Sequence, residues 1–352
     1  MGFKKDQLLV VDINSGKVRR AAETIKTEFA KLPQVTNVSV SSRVPGEWKS
    51  IPRVKVSKEQ GAAAQANDMF FLGIDNQFLK TYQVALTSGR NFLPGSADST
   101  SVIINQLAAK ELGIKEASGQ IVTIPSANFN GDFQPLDRPF TAKIIGIVKD
   151  FNFQSLHDPL APMVMANQDN PIHSIDYFTA RVTSDNVAST IKQMDAVLHS
   201  IDQTHLFEYH FLDKQWDLFY RQDKIRQTIF LMIAGLAIFV SCLGLLGLSI
   251  FTAEQRVKEL GIRKVLGASV GNIVMLLSKD MLKLVVIAAV IATPIAWFAM
   301  QKWLQDFAYR IDISWWVFCA AGAITVLIAV ATIGFQAVKS ALANPIKSLK
   351  VE

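Results

Sequence analysis

Q-T-I-F-L-M-I-A-G-L-A-I-F-V-S-C-L-G-L-L-G-L-S-I-F-T-A over 227–253, followed at once by E-Q-R-V-K-E-L-G-I-R-K-V-L-G-A-S over 254–269, decides how the chain divides. The first stretch carries no charge and exceeds the roughly 20 residues that cross a bilayer as a helix. The second is basic and amphipathic, and charge of this kind is excluded from hydrocarbon. Another uncharged run begins near Leu284, so the second stretch is a connector between two spans, held at a membrane surface. Val257, Leu260 and Lys264 recur at helical spacing and predict a helix lying flat or docked on a partner. Gly261 and Gly267 are unfavourable inside a helix by roughly 1 kcal/mol each. They point to close approach by another backbone. The plainer alternative is a solvated loop whose Arg256, Lys258, Arg263 and Lys264 only set topology.

Outward from this stretch, Ser269 is placed to cap a long helix that crosses from about 283 to 301, with Pro294 bending it. A third span runs from about 314 to 337, giving three spans at about 228–252, 283–301 and 314–337 in a permease-sized region, 226–352. Trp303, Phe307, Tyr309, Trp315 and Trp316 form an aromatic belt between the second and third spans. Ala237, Ser241 and Gly244 share one face of the first span, and small residues there let helices approach closely. Trp216, Phe219 and Tyr220 stand among Lys214, Arg221, Lys224 and Arg226, which predicts an interfacial helix over 213–226. Lys and Arg are denser in the connector 254–270 and in the tail with Lys339, Lys347 and Lys350 than in the 302–314 loop. That asymmetry places connector and C-terminus in the cytoplasm and residues 1–225 outside it.

Residues 1–225 read as an ordinary folded domain. L-L-V-V-D-I at 8–13 is a buried strand, Val18 to Leu32 a helix stopped by Pro33, and Val35 to Val40 a strand. A second such unit follows far downstream: a strand over 176–182, a helix over 186–200 and a strand over 206–212. Together they predict an α+β, ferredoxin-like split β-α-β sheet. Residues about 56–172 are then an inserted β-rich subdomain, with strands at 69–74, 102–104, 121–124 and 144–148 and a helix from Gln106 to Leu112 closed by Gly113.

Composition excludes several classes. The 352 residues carry a net charge of +6, and half are hydrophobic. The cations cluster beside the spans, not in an aromatic-interleaved patch that would indicate nucleic acid. Cys242 and Cys319 both lie in spans and read as small apolar residues. No G-x-x-x-x-G-K-[ST], G-x-S-x-G or H-E-x-x-H occurs, so the chain offers no P-loop, no catalytic residue and no cofactor site. His205, Glu208 and His210 do not make a metal site, because a strand turns His205 and Glu208 to opposite faces. Asp150 is a turn aspartate. Apart from Lys283 at the edge of the second span, the spans contain no Asp, Glu, Lys, Arg or His to relay a proton or ion.

Several segments together resemble one family, the FtsX-like/MacB-type ABC transporter permeases, over essentially the whole chain. I-I-G-I-V-K-D-F-N-F-Q-S-L-H-D-P at 144–159 resembles the signature of that family's extracytoplasmic domain. L-T-S-G-R-N-F at 86–92 and V-I-I-N-Q-L-A-A-K-E-L-G at 102–113 resemble its flanking segments. E-L-G-I-R-K-V-L-G-A-S at 259–269 resembles the cytoplasmic connector, and W-L-Q-D-F-A-Y-R at 303–310 and N-P-I-K-S-L at 344–349 complete the match. The resemblance implies a porter-like domain with an insert, then an all-α domain of three grouped spans, in the cytoplasmic (inner) membrane. It implies a separate cytoplasmic ATPase as partner, a second permease copy or half, and a periplasmic adaptor or hydrolase. Glu259, Gly261, Arg263, Lys264 and Gly267 would then lie at the ATPase contact. Gly89, Arg90, Asn105, Gly146, Val148, Lys149, Asp150 and Phe151 would shape the extracytoplasmic domain, chiefly as structure. Two family roles stay open: mechanotransmission for export, efflux or lipoprotein release, and FtsX-type control of a cell-wall hydrolase. The family also carries a span ahead of such a domain, where this chain begins with Met1, so the resemblance implies a half-permease or a truncated fragment.

Overall fold

The computed structural model describes residues 1–47, 49–58, 66–95, 98–117, 119–155, 157–183, 185–256, 259, 262–263, 266–305 and 313–342. The chain divides into two compact units, Met1–Arg221 and Gln222–Glu352.

In the first unit, the start of the chain gives β1 (Leu8–Asp12), α1 (Gly16–Arg20), α2 (Ala22–Ala30) and β2 (Val35–Ser41). Its end gives β10 (Tyr177–Val182), α5 (Val187–Ile201), β11 (Tyr209–Phe211) and α6 (Leu212–Phe219). The four strands lie in the order β11-β1-β10-β2 with every neighbour antiparallel. This is the ferredoxin-like split β-α-β arrangement that the sequence pattern predicts. The strand period of two sorts β1 to both faces. Leu9 and Val11 join Val18, Ile25 and Phe29 under the helices, while Leu8 and Val10 enter a second cluster on the opposite face.

Two local expectations are corrected. The helix expected from Val18 to Leu32 is two helices, turning at Ala21, whose backbone leaves the helical region; Val18, Ala22, Ile25 and Phe29 still share one buried side. The strand expected over 206–212 pairs only at Tyr209–Phe211. Glu208 N–H bonds back to Leu206 O in a turn, and Leu212 already opens α6.

The chain between β2 and β10 holds β3 (Arg53–Ser57), β4 (Asn67–Ile74), α3 (Phe78–Tyr82), β5 (Leu86–Gly89), β6 (Ser101–Asn105), α4 (Gln106–Glu111), β7 (Ile121–Asn128), β8 (Gln134–Val148) and β9 (Met163–Asn167). Periodicity finds β4, β6, β7, α4 and the end of β8, and misses β3, α3, β5 and β9. The insert does not form a separate sheet: Ser41 of β2 pairs with Ile74 of β4, so the eleven described strands are continuous. The pairing β4-β3-β7-β8-β6-β9 returns to β4 through a parallel β4–β9 ladder. Six strands thus close a barrel and leave no free edge among themselves. Val54, Phe71, Val102, Ile104, Val122 and Ile144 fill it.

The segment 213–226 is a further correction. It is not one interfacial helix. Trp216 on α6 is shut from solvent, with its Nε1–H donated to Pro45 O at 3.0 Å, and its ring is 5.5 Å from that of Phe3. An indole whose N–H finds a buried carbonyl has no need of a membrane interface.

Among the described residues the second unit holds three long helices: α7 (Arg221–Gln255), α8 (Val270–Leu304) and α9 (Trp315–Leu342). Each holds a segment long and apolar enough to span a membrane. A helix suits hydrocarbon because it satisfies its own backbone hydrogen bonds. Ser269 caps α8, accepting from Asn272 N–H at 3.3 Å, as its position before the apolar run predicts. α8 is continuous through Pro294, which lacks the N–H its turn would use.

Candidate functional site

Two groups of residues were singled out by sequence, and the fold treats them differently. The first group converges. Gly89 on β5 pairs directly with Gly146 on β8. Gly89 has φ +77°, and a Cβ there would stand 2.2 Å from Ile145 O. A Cβ on Gly146 would stand 2.5 Å from Arg90 O. Both glycines are required by backbone proximity, which only a residue without Cβ allows.

Arg90 closes this corner. Its Nη1 and Nη2 donate to Asp98 Oδ2 and Oδ1 at 2.7 and 2.8 Å, a bidentate pair. Asp98 also accepts from Leu93 N–H at 2.8 Å. The Arg90 guanidinium and these donors hold the Asp98 carboxyl down at about 2. The sequence reading missed Asp98, since its Arg90 partner is assembled by the loop following β5.

Asn105 caps α4. Its Oδ1 accepts from Ala108 N–H at 3.0 Å and Met163 N–H at 2.9 Å, and its Nδ2 donates to Ala161 O at 2.9 Å. One buried amide therefore ties α4, β6 and the approach to β9 together. Asp150 Oδ1 accepts from Leu107 N–H at 3.0 Å, so the aspartate supports the same helix start from a neighbouring segment. Val148 pairs with both Leu86 and Asn105, and Lys149 N–H donates to Ala85 O. Phe151 is buried, its ring 6.4 Å from Phe3 and 6.2 Å from Phe153.

The second group is the connector. Gly261 and Lys264, with Val257 and Leu260, lie outside the described residues. Glu259 and Arg263 are helical and joined at 2.8 Å as an i,i+4 pair. Ala268 N–H returns to Arg263 O at 2.9 Å, and Gly267 has φ +88°. This is the left-handed end of a helix that glycine favours. Among the described residues of this chain nothing stands within 4 Å of where a Cβ on Gly267 would be, so the helix end alone accounts for this glycine within the chain. The sequence reading also passed over Ile262 and Leu266, one turn apart and 56% and 80% exposed. Arg256, just past α7, meets Asp280 of α8 at 3.5 Å and fastens the helices on either side.

Of the packing residues on α7, Ala237 and Ser241 line an apolar groove with Ala288 and Ala292 of α8 and Ala321 and Thr325 of α9. Ser241 Oγ donates to Ala237 O at 2.8 Å, so its hydroxyl is satisfied within the helix. Gly244 is not among the residues lining this groove, and among the described residues nothing stands within 4 Å of where its Cβ would be. Among the described residues no group of three or more His, Cys, Asp or Glu is placed to hold a metal ion.

Comparison with known proteins agrees with the resemblance read from the motifs. Residues 231–345 match the family described as FtsX-like permease C-terminal. The chain is 24% identical over 290 residues, 80% of this chain and 69% of the other, to the uncharacterized ABC transporter permease YknZ of Bacillus subtilis (strain 168). Among solved structures it is similar to the periplasmic region of MacB from Actinobacillus actinomycetemcomitans, at 17% identity and a TM-score of 0.38, covering 64% of this chain and 93% of that one. It is also similar to the extracellular domain of the noncanonic ABC-type transporter YknZ from Gram-positive bacteria, at 14% identity and a TM-score of 0.39, covering 58% of this chain and 97% of that one.

Proposed function

We propose that this chain, whose residues 231–345 form an FtsX-like permease domain, is the membrane subunit or half-subunit of an ABC transporter that works by mechanotransmission. ATP is bound and hydrolysed on a separate cytoplasmic subunit. The connector between α7 and α8 meets that subunit, and residues 1–225 lie on the far side of the membrane, where the cycle drives export or lipoprotein release. A second copy or half completes the assembly.

The observation that carries this reading is the connector itself. Ile262 and Leu266 form an exposed apolar pair on a helical turn, flanked by the Glu259–Arg263 ion pair and stopped by Gly267. Apolar anchors ringed by charge are what a docking helix offers a partner groove. Density of Lys and Arg around the same segment supports its cytoplasmic side.

The test is co-purification of the full chain with candidate ATPase subunits from the same cells, for wild type and for Leu266→Glu with Arg263→Glu. The expected result is retention by wild type and a loss of about tenfold or more in the variant. Equal retention by both would remove the connector from the interface.

A further inference from the structure

The K-D-F-N-F segment at 149–153 does more than finish β8. It touches the first residues of the unit and the 45–46 turn, and both of these meet Trp216 of α6. Asn152 N–H donates to Met1 O at 2.8 Å. Gly2, at φ +84°, lies so close that a Cβ would meet Asp150 O at 2.7 Å and Phe151 Cα at 2.8 Å. The Phe3 ring sits between Phe151 at 6.4 Å and Trp216 at 5.5 Å. On the other side, Phe153 O accepts from Gly46 N–H at 2.8 Å. Gly46 has φ +79° and lies directly under the Trp216 indole, whose ring atoms would stand 2.3 to 2.8 Å from a Cβ. Trp216 then donates to Pro45 O. The ring is closed: the start of the chain, the 149–153 segment, the 45–46 turn and α6 each hold the next.

We infer that Trp216 and the 149–153 segment form a clasp that makes α6, the start of the chain and the end of β8 move as one body. α6 runs on in sequence to α7, so the clasp is where a displacement of the first span would be handed to the sheet. Trp216 is a positioning residue in this device. It fills a site built to its shape by two residues at positive φ, Gly2 and Gly46, the first through Phe3 and the second directly. The turn it grips is itself secured to the sheet. Arg43 meets Asp176 at 2.6 Å, and Tyr177 donates to Glu47. The part of the inference that concerns ATP rests on the transporter reading above; the clasp itself does not.

Amide hydrogen exchange of the full chain separates the two. Trp216→Phe keeps an aromatic ring and removes the N–H to Pro45 O; Gly46→Ala drives a methyl into the indole. In both, the amides of Gly46 and Asn152 and those of 212–219 should exchange about tenfold faster together, while 102–105 and 163–167 stay unchanged. Faster exchange confined to 212–219 would overturn the clasp. In the complex with its ATPase, ATP should change exchange at 149–154 in wild type and not in Trp216→Phe, with ATPase retention equal in both. The same ATP response in both proteins would overturn the positioning role. Failure of wild type to retain any ATPase would sink the transporter reading, and the first comparison would still decide the clasp.

Discussion

In the Met1–Arg221 unit, Leu8, Leu9, Val10 and Val11 are wholly shut from solvent, whereas on α7 Phe230, Leu231 and Leu236 are each about two-thirds exposed. The residue types are alike and the outcomes opposite. In the first unit apolar side chains face one another across strands and helices, and burial supplies roughly 25 cal/mol per Å². In the second, each helix closes its own hydrogen bonds and leaves its side chains for a surrounding apolar medium. The two units should therefore respond to substitution by different rules: the first by close packing, the second by local helix chemistry and by what lies outside.

Two glycines with nearly the same backbone sharpen that comparison. Gly89→Ala places a methyl 2.2 Å from Ile145 O at φ +77°. It should cost about 3 kcal/mol or more in thermal or denaturant unfolding of the first unit. A cost below about 1 kcal/mol would mean that the β5–β8 corner yields, and that close packing does not govern the unit. Next in size is Asn105→Ala, which strands the N–H groups of Ala108 and Met163. A loss of about 2–3 kcal/mol is expected in the same measurement, and an unchanged midpoint would show that water replaces the amide.

Asp98 offers a test by pH. Its folded carboxyl is held at about 2 against an ordinary value of 3.8, by the Arg90 hydrogen bonds first. A depressed acid adds stability that is fully present above its unfolded value and is lost as pH falls through its folded value. Stability of the first unit should thus decline between about pH 4 and pH 2, and Asp98→Asn should flatten that decline while weakening the unit by about 1–2 kcal/mol near neutrality. An identical acid profile in the variant would show that Arg90 contributes nothing there. The smallest effect belongs to the connector. Gly267→Ala adds a methyl in open space at φ +88° and should cost about 1 kcal/mol, read as faster exchange of the 262–268 amides only. A penalty as large as that of Gly89→Ala would reveal a neighbour at Gly267 and bear out the expectation of close backbone approach.

These contrasts also mark how far the sequence could be read. The three apolar helices and the Ser269 cap depend on neighbours within a turn or on runs of uncharged residues. A linear string displays both. The split β-α-β sheet was legible because its strands alternate and its helices show a clear apolar face. Trp216 was misread because an aromatic among cations before a span looks the same whether it meets lipid or a protein core; only Phe3 and Gly46, both more than 160 residues away, tell them apart. β3, β5 and β9 were missed because their signals are short.

By itself the sequence determined which residues must avoid water, where the chain turns from a folded domain to long apolar helices, and which family its motifs resemble. Those features are set by composition and by periods of two and 3.6 residues. Tertiary structure alone decided that the insert closes a six-stranded barrel on the shared sheet, that Gly89 and Gly146 stand face to face, and that Lys149–Phe153 joins the first residues to α6. The reason is that strand pairing and ring contacts are chosen between segments far apart in the chain. A local pattern shows that a residue needs a partner, and only the closed fold supplies which one.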